Sequence, residues 1–107
     1  MGSTTEMLKG ILEGCILEII SRGETYGYEI PKELEKNGFS SIGNSTIYTI
    51  LTRLERSQLI KAEKLPSKFG PLRKAFSLTK TGDEKRSQFW TKWNQMSSKV
   101  NKLRRVN

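Results

Sequence analysis

The chain has 107 residues, 19 of them Lys or Arg and 11 Asp or Glu, giving a formal net charge of +8, with one cysteine and no histidine. That length supports one domain with one core, and the charge favours a polyanionic partner, either nucleic acid or an anionic membrane surface. Lacking His and holding a single Cys, the chain excludes the usual zinc sites and Ser–His or Cys–His catalysis, so neither an enzyme nor a bound cofactor is expected.

Residues 6–22 read as a first helix, with Leu8, Ile11, Leu12, Cys15, Ile16, Ile19 and Ile20 in a broad apolar stripe and Gly23 as the stop. Cys15 sits within that stripe, where a buried thiol is expected. Thr25 is the expected N-cap of a second helix over roughly 26–37, with Tyr28, Ile30 and Leu34 as core contacts and Asn37-Gly38 as the stop. Pro31 is compatible with that helix only in its first turn.

Asn44–Arg56 is the most informative stretch. Ile47, Ile50, Leu51 and Leu54 recur at helical spacing and form an apolar stripe, while Ser45, Tyr48, Thr49, Thr52, Arg53 and Arg56 lie on the other face. Asn44 or Ser45 is the expected cap, and Ser57-Gln58 the end. A helix of this kind can rest on a core and offer a polar face to the major groove of DNA; the plainer alternative is a solvated surface helix.

Residues 59–65 alternate and read as a strand, 66–71 as a loop rich in turn formers, and 72–78 as a second strand with Leu72, Lys74, Phe76 and Leu78 on one face. The resulting hairpin carries Lys64, Lys68, Arg73 and Lys74. Thr79 or Thr81 caps a last helix, in which Phe89, Trp93, Met96, Val100 and Leu103 are spaced 4, 3, 4 and 3. This is a heptad seam, and it calls for a partner, a second copy of the chain in preference to the chain's own first helix. Three helices, a basic hairpin and a terminal helix make a mostly α fold with a small β-hairpin. The order is that of a winged helix-turn-helix over residues 6–78, followed by a C-terminal dimerisation helix over 79–107.

Basic charge is concentrated at the end. Residues 1–78 hold 11 basic and 9 acidic side chains, whereas residues 79–107 hold 8 and 2. No apolar run approaches the ~18–20 residues that span a bilayer, and no signal-peptide pattern is seen. With one Cys, the chain suits a reducing, cytoplasmic setting. Residues 83–106 come nearest to a membrane-surface helix, but their regular seam argues for a protein partner and against a membrane.

The motifs Leu8-Lys9-Gly10, Tyr26-Gly27-Tyr28-Glu29-Ile30, Ser45–Arg56 and Gly70–Gly82 resemble the PadR family of bacterial transcriptional regulators, in its small subfamily with one C-terminal helix. The resemblance implies a homodimeric, DNA-binding repressor acting on near-palindromic double-stranded DNA. It implies DNA contacts by Tyr26, Asn44, Ser45, Thr46, Tyr48, Thr49 and Arg53, and by Lys64, Lys68, Arg73 and Lys74 of the wing. It implies a dimer interface of Leu8, Leu12, Phe89, Trp93, Met96, Val100 and Leu103. By position, Trp93 matches an aromatic that lines a flat-ligand pore in the multidrug-binding branch, so Trp93 and Phe89 are candidate contacts for a planar aromatic effector. Phe89 is larger than the small residue that opens that pore, and Trp93 as a plain interface anchor is the alternative. The competing function is a winged-helix protein–protein module that does not read DNA; it would show exposed apolar residues on the third helix, where this chain has Ser45, Thr49, Thr52 and Arg53.

Overall fold

The computed structural model describes residues 7–8, 10–68 and 70–104. The expected helix start at residue 6, Phe69 of the loop and the tail residue Arg105 lie outside these. The elements are α1 (Leu12–Ile20), β1 (Thr25–Tyr26), α2 (Glu29–Lys36), α3 (Asn44–Arg56), β2 (Ile60–Leu65), β3 (Arg73–Leu78) and α4 (Lys80–Leu103). Three helices and a three-stranded antiparallel sheet of order β1-β3-β2 form a winged helix from which α4 extends.

The first helix is shorter than its apolar stripe suggests. Met7 and Leu8 are helical, but a turn at Gly10 and Ile11 precedes α1, with the Ile11 N–H on the Leu8 carbonyl at 3.0 Å. Leu12, Ile16, Leu17, Ile19 and Ile20 of α1 enter the core with Ile30 and Leu34 of α2, Ile47, Ile50, Leu51 and Leu54 of α3, and Ile60 and Phe76 of the sheet. Each such side chain contributes roughly 1.5–3 kcal/mol by leaving water. Cys15 is half-buried against this core, and burial pushes its thiol pKa up.

Thr25 does not cap α2. It pairs with Phe76 in β1, and Tyr26 pairs with Ala75. The Thr–Tyr pair suits an extended backbone, and β3 offers it a free edge. Helix α2 therefore starts at Glu29, whose carboxylate accepts from the Tyr26 N–H at 2.9 Å. This later start places Pro31 in the first turn, where its missing N–H costs nothing. Tyr28 is only half-buried and not a core residue; its ring stacks on Tyr26 at 5.4 Å between centroids. The expected hairpin is thus the larger part of a three-stranded sheet. Ala75 is buried beside Phe76, because β3 is the central strand, while Leu72 precedes the strand and is 60% exposed.

Thr79 caps α4 and joins it to the end of α3. Its Oγ1 accepts from the Gly82 N–H at 3.0 Å and faces the Gln58 and Leu59 carbonyls at 2.8 and 3.1 Å. Gly82 is buried here, and a Cβ on it would lie 1.8 Å from the Leu59 oxygen. Any side chain would force α4 away from the connection between α3 and β2, so glycine sets the angle at which α4 leaves the domain. Farther along, the Phe89 ring covers Gly14 so closely that a Cβ there would lie 2.2 Å from it. One turn on, Glu18 of α1 accepts from the Trp90 indole at 2.7 Å and from Arg86 at 3.0 Å. Burial alone would raise the Glu18 pKa, but these bonds and the charges of Arg86 and Arg22 outweigh it and hold the carboxyl below its usual value.

Candidate nucleic-acid interface

Helix α3 supplies the exposed polar face. Its three Thr and two Ile are poor helix formers, so the helix rests chiefly on burial of Ile47, Ile50, Leu51 and Leu54. Opposite that stripe stand Ser45, Thr49, Thr52 and Arg56, spaced 4, 3 and 4 and all exposed. The Thr49 hydroxyl donates to the Ser45 carbonyl at 2.8 Å and that of Thr52 to the Tyr48 carbonyl at 2.9 Å.

Neither Asn44 nor Ser45 caps the helix. The N-cap is Gly43, whose carbonyl accepts from Thr46 at 3.1 Å and Ile47 at 3.3 Å, and no side chain completes the cap. The Asn44 and Ser45 side chains are left exposed beside main-chain N–H groups of the first turn.

The flanks of α3 face different neighbours. Thr46 and Arg53 border a cleft floored by Leu8, Leu12, Ile42 and Ile50. Arg53 turns toward α1 and pairs with Glu13 at 2.9 Å. Tyr48, Thr52 and Glu55 border a second cleft toward Gly27, Arg73 and Lys74. Lys74 reaches Glu55 at 3.3 Å, so a wing residue is tied to the last turn of α3.

On the sheet, Lys64 lies directly opposite Lys74, and Leu65 opposite Arg73. Two ammonium groups across one rung repel; Glu55 relieves one of them, while Lys64 has no ion-pair partner among the described residues. Lys68 is exposed in the loop. The Tyr26 hydroxyl, expected at the interface, instead donates to the Pro66 carbonyl and holds the base of that loop. The Arg73 guanidinium and the Lys32 ammonium lie 5.9 and 5.6 Å from the Tyr28 ring centroid. Loss of solvation and the nearby Glu29 push the Tyr28 phenol pKa up.

The heptad seam divides at its first turn. Phe89 is half-buried on Gly14 and meets Trp90 edge-on at 5.0 Å, so it faces its own chain. Trp93, Met96, Val100 and Leu103 are 41, 63, 58 and 85% exposed. Leu8 and Leu12 are buried within the chain, which leaves little of either for a partner.

The structure thus leaves Ser45 and Thr49 of α3 and Lys64 and Lys68 of the wing exposed, ties Lys74 to Glu55, sets Arg73 beside the Tyr28 ring, and turns Tyr26 and Arg53 toward contacts within the chain. Thr52 and Arg56 belong to the same exposed stripe, although the resemblance does not imply DNA contacts for them. The 4-3-4 spacing from Ser45 is the signal in the sequence that marks them. Among the described residues, no cluster of His, Cys, Asp or Glu could hold a metal ion, and no helix is long and apolar enough to cross a membrane.

Comparison with known proteins agrees with this architecture. Residues 16–88 match the Transcriptional regulator PadR-like family. The crystal structure of a PadR-like transcriptional regulator from Bacillus cereus superposes with a TM-score of 0.86 at 41% identity, over 95% of this chain and 99% of that one. A Streptococcus transcriptional regulator does so at 0.85 and 46% identity, over 91 and 95%. An uncharacterised protein of Lysinibacillus sphaericus is 30% identical over 91 residues, which is 83% of this chain and 84% of the relative.

Proposed function

The chain belongs to the PadR-like family of transcriptional regulators, and from that premise we propose that it is a homodimeric repressor that reads a near-palindromic DNA site. The observation that carries this reading is the exposed stripe Ser45–Thr49–Thr52–Arg56, backed by a buried apolar stripe and flanked by a basic wing. The stripe has hydroxyls and a guanidinium where a protein-binding helix would have apolar side chains. The free N–H groups at the start of α3 suit a phosphate oxygen, and the opposed pair Lys64 and Lys74 favours an anion between them. In this reading Asn44, Ser45, Thr46 and Thr49 enter the groove first, Tyr48 meets the backbone, and Lys64, Lys68, Arg73 and Lys74 hold phosphates. Tyr26 supports the wing, and Arg53 contacts DNA only by leaving Glu13.

The dimer forms through Trp93, Met96, Val100 and Leu103, which would otherwise leave an apolar ridge in water. Its two-fold symmetry puts the half-sites about one helical turn apart. Trp93 is the interface anchor, and a planar aromatic compound stacked between two such indoles is the candidate effector. Phe89 is folded onto Gly14 of its own chain.

The test is an unbiased selection of duplexes bound by the purified protein, run with and without a panel of planar aromatic dyes. A recovered inverted repeat is the expected result, and dyes that bind at Trp93 are expected to reduce its yield. Recovery of unrelated sequences in proportion to the input would leave the protein–protein module as the better reading.

A further inference from the structure

The two threonines at the centre of the α3 stripe are chemically narrower than their residue type suggests. A hydroxyl has one proton to donate. Thr49 gives its proton to the Ser45 carbonyl and Thr52 gives its own to the Tyr48 carbonyl, at 2.8 and 2.9 Å. Such back-bonding is available to Thr inside a helix, and it holds each oxygen against the helix cylinder. Of the two groups on each Cβ, the γ-methyl is the one not engaged with the helix backbone. Donors remain at the ends of the stripe, the hydroxyl of Ser45 and the guanidinium of Arg56, and not at its middle.

Base pairs differ in what they offer such a surface. In the major groove guanine presents two acceptors, which need donors that the middle of this stripe lacks. Adenine and cytosine present amino groups, which need an outward acceptor. Thymine presents a methyl group that can pack against another methyl. We propose that Thr49 and Thr52 are specificity residues that select thymine at the centre of each half-site through its C5 methyl. This rests on the reading of α3 as the DNA-recognition helix and adds which base it selects and how.

Deoxyuridine lacks only that methyl, so it isolates the contact. Each thymine of a selected duplex is replaced in turn by deoxyuridine, and affinity is measured for the wild type and for Thr49→Ser, Thr49→Val, Thr52→Ser and Thr52→Val. Serine keeps the hydroxyl and valine keeps a methyl, and both sites are exposed, so folding is preserved; circular dichroism checks this. At one or two positions the wild type is expected to lose about fourfold in affinity, the worth of one buried methyl. The valine variants should keep that loss, and the matching serine variant should no longer feel it. A duplex that binds specifically yet tolerates deoxyuridine everywhere overturns the methyl readout and leaves the repressor intact. Valine variants that lose specific binding would overturn it too, in favour of the hydroxyl oxygens. If no duplex is bound specifically, the repressor reading and this one fall together.

Discussion

Arg53 and Arg56 stand three residues apart on α3 and face different surroundings. Arg53 is tied to Glu13 at the α1 flank, whereas Arg56 ends the outward stripe. An exposed ion pair of this kind is worth at most ~1 kcal/mol, so Arg53→Ala should barely change stability. Arg56→Ala should instead lower specific binding, by ~1–3 kcal/mol if the guanidinium grips a base edge in two places. Fluorescence anisotropy on the selected duplex and on random DNA separates these effects. The assignment is wrong if Arg53→Ala costs more specific affinity than Arg56→Ala.

A second prediction at this scale concerns Glu18. Burial opposes its charge, but bonds from Trp90 and Arg86 and the charges of Arg86 and Arg22 prevail and lower its pKa. The folded state then binds fewer protons than the unfolded state across the carboxylate range. Stability from Glu18 is therefore present at neutral pH and lost as pH falls through its lowered pKa. Glu18→Gln should flatten the fall of melting temperature between about pH 6 and pH 3. Parallel melting curves for wild type and variant over that range would dismiss the idea.

Among the elements, the wing is joined to the rest of the domain by several contacts. They include the Tyr26 hydroxyl on Pro66, Lys74 on Glu55, Arg73 beside the Tyr28 ring, and the pairing of β1 with β3. Its lysines are thus carried on a supported hairpin, and their proposed role is electrostatic. Replacing Lys64 and Lys68 together with alanine should weaken binding to specific and random DNA alike. The slope of log affinity against log salt should shrink by about two units, one for each phosphate no longer neutralised. An unchanged slope would leave these residues as guards of an edge strand, a common use of lysine.

For the whole molecule, the radius of gyration is 15.4 Å and the extents are 55 × 30 × 20 Å. A compact chain of this length would have a radius of about 13 Å. The excess comes from α4, whose first turns pack on α1 through Phe89 and Trp90 and whose second half leaves the domain with its apolar seam uncovered. Met96→Glu combined with Val100→Glu puts like charges on that seam and should convert the proposed dimer to monomers in light scattering. Far-UV circular dichroism should be nearly unchanged, because neither residue is buried in the single chain. A dimer of undiminished mass would move the interface elsewhere.

The sequence by itself determined the order of the helices and the hairpin, the buried stripe of α3, the basic wing, and the exposed apolar positions of the second half of α4. Each is a local periodic pattern, and periodicity depends only on neighbours in the chain. It narrowed the cap of α4 to Thr79 or Thr81, and the structure chose Thr79, whose hydroxyl accepts from the Gly82 N–H. Tertiary structure decided the rest. Thr25-Tyr26 became a strand because β3, about fifty residues away, presents an edge. Tyr26 was diverted to Pro66 and Arg53 to Glu13 by partners forty residues distant in each case. Why Gly14 and Gly82 must be glycine is not legible in a linear reading, yet Phe89 and the Leu59 carbonyl fill the space a side chain would need. A contact between distant segments depends on how helices and strands pack, and no spacing within either segment encodes it.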